Sequence, residues 1–353
     1  ATAVLDPDPA SPAGRVSHHH IQTSYTDAAG LAQLAACSAA ITTEFENVPA
    51  DALHTLAAQR RVAPGAAAVA IAQDRAAEKA HFVRCGVDCA PYAELRSAAE
   101  LDPLLDELLP GILKTARMGY DGKGQVRVAD RAELVRAWEA LGHVPCVLEK
   151  MLPLALECSV IVARAADGAM VNFPVQRNLH RAGILAVTEV FDGNLPAPLA
   201  AQAVADARAV AQGLDYQGVL CVEFFVLTDG RLVVNEIAPR PHNSGHYTQN
   251  ACDLSQFELQ VRTLTGLPLM PPRQHSPAIM LNLLGDLWGR TGPTAAPDWA
   301  AVLALPGTHL HLYGKQQARP GRKMGHLNVT GASIDQVRAV ALQAAKILGI
   351  EAF

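Results

Sequence analysis

The chain has 353 residues, half of them hydrophobic and 18% charged, with a net charge of −5 at neutral pH. That length suffices for two or three packed units, and the charge offers no general attraction to nucleic acid or an anionic membrane. Seven cysteines, none in a C-x-x-C pair, argue against a zinc site or a disulfide framework and fit a reducing cytoplasm, and no apolar run reaches the roughly 18 residues of a membrane span.

Ala1–Pro9 reads as the end of a strand and a turn, so a strand and helix are expected to precede it. Residues 1–74 alternate short strands (Ala39–Thr43) with helices (Asp27–Cys37, Ala50–Gln59), the pattern of a parallel sheet. Ligands of such sheets sit beyond the carboxyl ends of strands, where Glu44 and Glu46 fall; exposed loop glutamates are the alternative. A helix over Gln73–Arg84 carries Asp74, Arg75 and Lys79. Strands at Gly111–Lys114, 126–128 and Cys146–Lys150, with a helix at Arg131–Leu141, form a small α+β unit. From Leu156 onward strands dominate, at 156–164, 170–173, 218–227 and 231–237, around a helix at Pro198–Gly213. A helix at Ser255–Thr265, strands at 278–284 and 308–313, and a closing helix at Ser333–Leu348 complete the chain.

Val219–Ile237 carries the strongest local signal. Two apolar runs flank Asp229-Gly230, which predicts a two-residue type I′ hairpin. That register pairs Thr228 with Arg231, Leu227 with Leu232, Phe225 with Val234, and Glu223 with Glu236. Both faces are otherwise apolar, so the hairpin reads as buried and central. Opposed like charges destabilise a sheet, and a hard divalent cation with oxygen ligands would relieve the conflict. A slipped register, or an arginine paired with one glutamate, would relieve it too.

Gly119-Tyr120-Asp121-Gly122-Lys123-Gly124-Gln125 is glycine-rich with a lysine inside, suited to close approach of backbone N–H groups to phosphate. It lacks the Walker arrangement, because Gln125 stands where lysine is required; an ordinary hairpin loop is the alternative. Lys114 and Lys150 end apolar strands and could offset phosphate charge, though solvated surface lysines look the same in sequence. Glu157 could accept from sugar hydroxyls, with an ordinary surface glutamate as the alternative. The Pro-constrained run Ala238–His246 places Arg240 and His242 beside the acidic strand, suiting an anionic substrate, with a simple turn as the alternative. Lys315 and Arg319-Pro-Gly-Arg-Lys-Met-Gly-His326 read as a second basic loop fit for a phosphate monoester, with a solvated charged turn as the alternative. His18-His19-His20 lacks metal-ligand spacing. No G-x-S-x-G or H-E-x-x-H run is present.

Thr43–Pro49, Asp74-Arg75, Gly119–Gln125, Glu149-Lys150, Glu223, Asn235–His246 and Arg319–His326, in that order, closely resemble the 5-(carboxyamino)imidazole ribonucleotide synthases, ATP-grasp ligases of purine biosynthesis. The resemblance spans essentially the whole chain. It implies an ATP-grasp fold of mixed α/β and α+β character: an N-terminal parallel-sheet (pre-ATP-grasp) domain over 1–78, a small lid domain over 79–157, and a C-terminal antiparallel-sheet domain over 158–353. Family members begin with a strand and a Gly-Gln-Leu-Gly type loop, which are not in this chain; truncation of the first domain is the expectation.

The implied reaction uses ATP to phosphorylate bicarbonate, and the carboxyl group passes to the amine of aminoimidazole ribonucleotide. By resemblance, Arg75, Lys114, Gly119–Gln125, Glu149, Lys150, Met151, Leu152, Glu157, His180, Asn235 and Glu236 bind ATP. Glu223 and Glu236 hold Mg²⁺. Arg240 and His242 face bicarbonate and carboxyphosphate, with Asp121 as a further catalytic residue. Glu46, Tyr120, Lys315 and Arg322 face the ribonucleotide. Many ATP-grasp enzymes place an asparagine two residues after the second metal glutamate; here Ala238 stands there. A cytoplasmic homodimer without nucleic-acid or membrane partners is expected. The alternatives are a formate-using glycinamide ribonucleotide transformylase of the same superfamily, or a non-catalytic nucleotide-binding module.

Overall fold

A computed structural model of the chain describes residues 1–101, 103–119, 124–289 and 296–353. The first unit holds two separate two-stranded parallel sheets, Ala3–Leu5 with His19–Ile21 and Ala40–Ile41 with Arg61–Val62, rather than one continuous sheet. One core joins them, built from Ile21, Leu31, Leu34, Ile41 and Leu56. Asp27 caps the Ala28–Cys37 helix by accepting from Gly30 N–H. The helix Ala66–Ala72 has no counterpart among the expected elements. It is almost wholly alanine and valine, so it shows no polar face to mark its period.

The second unit is a four-stranded antiparallel sheet in the order Tyr92–Leu95, Cys146–Lys150, Gly111–Thr115, Gln125–Val128. Leu113, Leu134, Trp138 and Leu148 fill its core beneath the Arg131–Ala140 helix.

The third unit is a nine-stranded antiparallel sheet. Its path runs Leu232–Ala238, Gly218–Leu227, Leu154–Arg164, Gln176–Arg181, Ile184–Val190, Ala278–Leu284, Lys323–Thr330, Thr308–Leu312, with Met170–Asn172 off the Leu154–Arg164 strand. Three of these strands were not expected. Gln176–Arg181 buries Gln176 and Asn178 where apolar residues would have marked a strand, and Ile184–Val190 is its hairpin partner. Lys323–Thr330 corrects the basic-loop expectation: Arg319 and Arg322 lie in the loop, but Lys323 and His326 belong to a strand, with His326 buried. The small residues Ala203, Ala207 and Ala211 recur every helical turn on Ala197–Gly213, which lets that helix pack closely on one face of the sheet. The other face is covered by Tyr247, Leu254 and Leu259.

The acidic hairpin departs from the expected turn. Gly230 N–H donates to Leu227 O at 2.9 Å, Leu227 N–H donates to Arg231 O at 2.8 Å, and Gly230 alone has a positive φ, of 87°. This is a three-residue loop, a type I turn followed by a left-handed glycine. It pairs Val226 with Leu232 and Phe224 with Val234, one residue off the predicted register. A bulge at Asn235 then takes up the extra residue and restores Glu223 opposite Glu236. The faces change accordingly. Val222, Phe224, Val226, Leu232, Val234 and Ile237 all enter one core. Glu223 and Glu236 share the opposite face with Cys221 and Ala238.

Leu232–Ala238 is an edge strand rather than a central one. Its outward donors are covered by side chain and loop: Ile237 N–H donates to Glu78 Oε1 at 2.7 Å and Val234 N–H to Asp88 O at 2.7 Å. A Cβ on Gly230 would meet nothing within 4 Å, so only backbone strain opposes substitution there. Gly230→Val should therefore cost about 1–2 kcal/mol in denaturant unfolding. Gly230→Asn, whose side chain tolerates a left-handed φ, should cost markedly less; equal losses would show that backbone strain is not the cause.

Candidate active site between the acidic hairpin and the basic loops

Three groups of charge meet around the acidic hairpin. The first is built on the Arg75–Arg84 helix. Asp74 caps it, accepting from the N–H groups of Ala76 and Ala77. That puts Arg75 in the first turn, where its Nη1 lies 3.1 Å from Glu236 Oε2. Glu78 and Lys79 follow on the same helical face. Lys79 and Lys114 flank Glu149 at 3.2 and 3.0 Å, all three essentially buried. Burial alone would raise the Glu149 carboxyl, but Lys114 and then Lys79 bring it down to about 2. Burial pulls Lys114 below the ordinary lysine value even so. Desolvation thus offsets much of the attraction, and the ion cluster gains little by existing while losing much if broken. Buried Glu78 is pushed up to about 8, by burial first and by Glu236 second.

The second group surrounds Glu223. Burial pushes its carboxyl up to about 7, with Glu236 and Glu157 adding to the effect against His180. Arg75 and Lys114 hold half-exposed Glu236 below its usual value, against the desolvation of its surroundings. The two facing carboxylates therefore differ in proton affinity, as like charges at close range require. Glu157 pairs with His180. Burial opposes charge on His180, but the Glu157 hydrogen bond and the neighbouring carboxylates hold its affinity above the ordinary imidazole range.

His242 Nε2 lies 3.1 Å from Glu223 Oε1. Burial, then Arg240 and Lys323, keep this imidazole neutral. Ligand atoms of Cys221, Glu223 and His242 lie within 4.8 Å of one another. Ser244 N–H donates to His242 Nδ1 at 3.3 Å, however, which leaves the ring proton on Nε2 rather than a lone pair for a metal.

An oxygen-only site fits better. Asn235, the bulged residue next to Glu236, has a buried Oδ1 with no hydrogen-bond partner among the described residues. Two carboxylates and one amide oxygen are the donor set of a hard cation.

The third group joins the first unit to the third. Arg240 Nη2 and Nε lie 2.6 and 3.0 Å from Glu46 Oε2. Glu44 is raised by burial, with Arg240 and Lys315 opposing. Lys315 Nζ donates to Lys323 O at 2.7 Å and sits 5.5 Å above the Tyr313 ring. Behind the loop, His246, His326 and His311 stack at 4.5 Å centroid spacings. Burial lowers all three, with His246 at about 3 and His326 at about 2.

Of the expected site residues, the structure brings together Arg75, Lys114, Glu149, Glu236, Glu223, His242, His180, Glu157, Arg240, Glu46 and Lys315 in these three groups. Lys150, Met151 and Leu152 end or follow the Cys146–Lys150 strand, and Lys150 and Met151 are exposed. Arg322 donates to Gln317 O at 2.9 Å, outside the groups. Gly124 has a φ of 70°, and a Cβ there would lie 2.6 Å from Thr115 Oγ1; Gly119 and Gln125 flank the loop. Tyr120, Asp121, Gly122 and Lys123 lie outside the described residues.

Sequence reasoning missed Glu78 as a site element. Its spacing of three from Arg75 on a capped helix was the available signal. It also missed Ser159 and Ser244, whose small hydroxyls carry none.

The buried cluster makes a direct prediction. Glu149→Ala strands Lys79 and Lys114 and should cost about 3–5 kcal/mol in denaturant unfolding at pH 7. Because Glu149 sits at about 2 against an ordinary 4.5, its contribution is present above pH 4.5 and lost as pH falls toward 2. The gap between wild type and variant should close over that window; a constant gap would show that the charge is not what matters.

The chain matches three family models in succession: a ribonucleotide synthetase preATP-grasp domain over residues 1–73, an ATP-grasp domain over 80–257, and a phosphoribosylaminoimidazole carboxylase C-terminal domain over 278–340. It is 43% identical over 333 residues to an N5-carboxyaminoimidazole ribonucleotide synthase of Brucella melitensis, covering 92% of this chain and 88% of that one. The Bacillus subtilis synthase is 40% identical over 330 residues, covering 92% and 84%. A crystal structure of an N5-carboxyaminoimidazole ribonucleotide synthetase in its ADP complex superposes with a TM-score of 0.89 at 38% identity, covering 99% of this chain and 89% of that one. The Aspergillus clavatus synthase, solved with ADP and 5-aminoimidazole ribonucleotide, superposes with a TM-score of 0.87 at 31% identity, covering 98% and 92%. With the acidic hairpin, the capped arginine helix and the Arg240–His242 loop in one fold, the chain belongs to the N5-carboxyaminoimidazole ribonucleotide synthase family of ATP-grasp enzymes.

Proposed function

We infer that this chain carries out the ATP-dependent carboxylation of 5-aminoimidazole ribonucleotide with bicarbonate, a carbon–nitrogen ligation of purine biosynthesis. The observation that carries the inference is the meeting of the Glu223–Glu236 pair, with Asn235 Oδ1 beside it, and the Arg240–His242 loop on one face of the sheet. Family membership sets the transformylase alternative aside. The domain limits 1–78, 79–157 and 158–353, a cytoplasmic location and a homodimer complete the reading; size-exclusion with light scattering tests the last.

Bicarbonate oxygen attacks the γ-phosphorus of ATP, the bond to ADP breaks, and carboxyphosphate forms. The exocyclic amine of the ribonucleotide then attacks the carboxyl carbon, phosphate leaves, and the amine loses a proton. Glu223 and Glu236 would hold Mg²⁺, which when bound neutralises phosphate oxygens of the nucleotide. Arg75 and Lys114 add fixed positive charge beside Glu236, in surroundings where such charge acts strongly on phosphoryl transfer. The glycine loop from Gly119 to Gln125 serves as the phosphate lid, and Lys150, Met151, Leu152, Glu157 and His180 line the nucleotide side. Arg240, held by Glu46, and His242 face the bicarbonate-derived anion. Lys315 and Arg322 take the ribonucleotide phosphate, and Glu46 also faces the ribonucleotide.

ADP release should require Mg²⁺ and rise on adding aminoimidazole ribonucleotide, with product formation dependent on bicarbonate. Stimulation by formate and glycinamide ribonucleotide instead would overturn the assignment. Glu236→Gln should lower turnover by at least about 10²-fold while the thermal melt stays cooperative; global unfolding would mark the residue as structural.

A further inference from the structure

The strand that carries Glu236 is held on its outer side at two points. Val234 N–H donates to Asp88 O and Ile237 N–H donates to Glu78 Oε1, each at 2.7 Å. In a regular strand alternate residues turn their N–H groups to the same side, so two outward donors stand an even number of residues apart. Val234 and Ile237 stand three apart. The extra residue is the Asn235 bulge, where two residues of this strand oppose one of its neighbour. The two outer acceptors therefore fit the strand only in its bulged form, and they bracket Asn235 and Glu236.

The two acceptors differ in kind. Asp88 offers a main-chain carbonyl, whereas Glu78 offers a side chain. Glu78 is 2% exposed and lies on the Arg75–Arg84 helix, one turn after Arg75. One helix thus holds Glu236 from two directions. Arg75 Nη1 lies 3.1 Å from its carboxylate, and Glu78 holds the main chain at the next residue. Apart from the bridge of Val234 to Cys89, no described strand pairs with the outer side of this edge strand. A buried N–H without an acceptor is unfavourable. An edge strand can relieve that by shifting, which would carry Asn235 and Glu236 with it.

We propose that Glu78 is a positioning residue for the cation site: its carboxyl oxygen, accepting from Ile237 N–H, fixes the main chain from which Glu236 and Asn235 present oxygen to Mg²⁺. The proposal rests on the reading of Glu236 as a Mg²⁺ ligand. Reach and an acceptor are what the role requires, not charge. Glutamine supplies both, whereas aspartate keeps the charge but stops one methylene short. A purely electrostatic role would rank these two replacements the other way round.

The test compares Glu78→Asp with Glu78→Gln in the full chain. Mn²⁺ stands in for Mg²⁺, and its binding to the protein with ADP is read from the paramagnetic resonance of the free ion. Glu78→Asp should weaken that binding about tenfold, the lower end of what losing an outer partner of a metal ligand costs. The Mg²⁺ concentration needed for half-maximal turnover should rise by the same factor, with KM for aminoimidazole ribonucleotide unchanged. Hydrogen exchange at the Ile237 amide should quicken. Glu78→Gln should lose far less on each measure. Wild-type Mn²⁺ binding in Glu78→Asp overturns the proposal, as does a loss in Glu78→Gln equal to that in Glu78→Asp. Failure of Glu78→Asp to fold overturns it too, because the residue is then structural. Glu236→Gln checks the reading beneath it. If that variant binds Mn²⁺ as the wild type does, the metal reading fails and the proposal with it; if it loses Mn²⁺ while Glu78→Asp does not, the proposal alone fails.

Discussion

Two carboxylates on one face of an antiparallel sheet repel each other, and much of the surrounding structure answers that repulsion. Glu236 is met by Arg75 from a neighbouring helix, and Glu223 by the Nε2–H of His242 from the following loop. The two carboxyls are pushed apart in proton affinity, Glu223 upward and Glu236 downward. Each partner comes from a different element, so the acidic pair ties helix, sheet and loop into one place. The edge position of Leu232–Ala238 makes this possible, because an edge strand leaves one side open to an incoming helix.

The cationic side is organised by the same economy of charge. Glu149 offsets one of the two charges of Lys79 and Lys114 in a site from which water is nearly excluded. Such a cluster adds little net stability, but it fixes where the second unit sits against the Arg75–Arg84 helix. Arg240 plays the equivalent part at the first unit, gripping Glu46 across the two units. The carboxylate sets the direction of the guanidinium.

Several features were legible in the residues themselves. Asp74 before Arg75 marks a capped helix start, and the arginine emerges where a cap requires. The alternation of strands with helices before residue 74 and the run of strands after 156 follow from period and turn residues, and the described sheets have those characters. The Glu223–Glu236 pairing was also legible, but through two departures that cancel. The turn takes three residues rather than two, and the Asn235 bulge adds one back. The turn rule sees only the loop, and bulges depend on how the far end of a strand packs.

The sequence by itself determined the facing of Glu223 and Glu236 and the placing of Arg240 and His242 directly after them, because each is a local pattern of a few residues. Only the tertiary structure decided which faces those residues share. The bulge turns Glu236 to the face of Glu223 and away from Leu232 and Val234. The burial of Gln176 and Asn178 in an unanticipated strand, and of Ser159 and Ser244 beneath the loop, was equally invisible. Polar side chains in a sheet interior have no periodic signature; their partners lie tens of residues away and are chosen by packing.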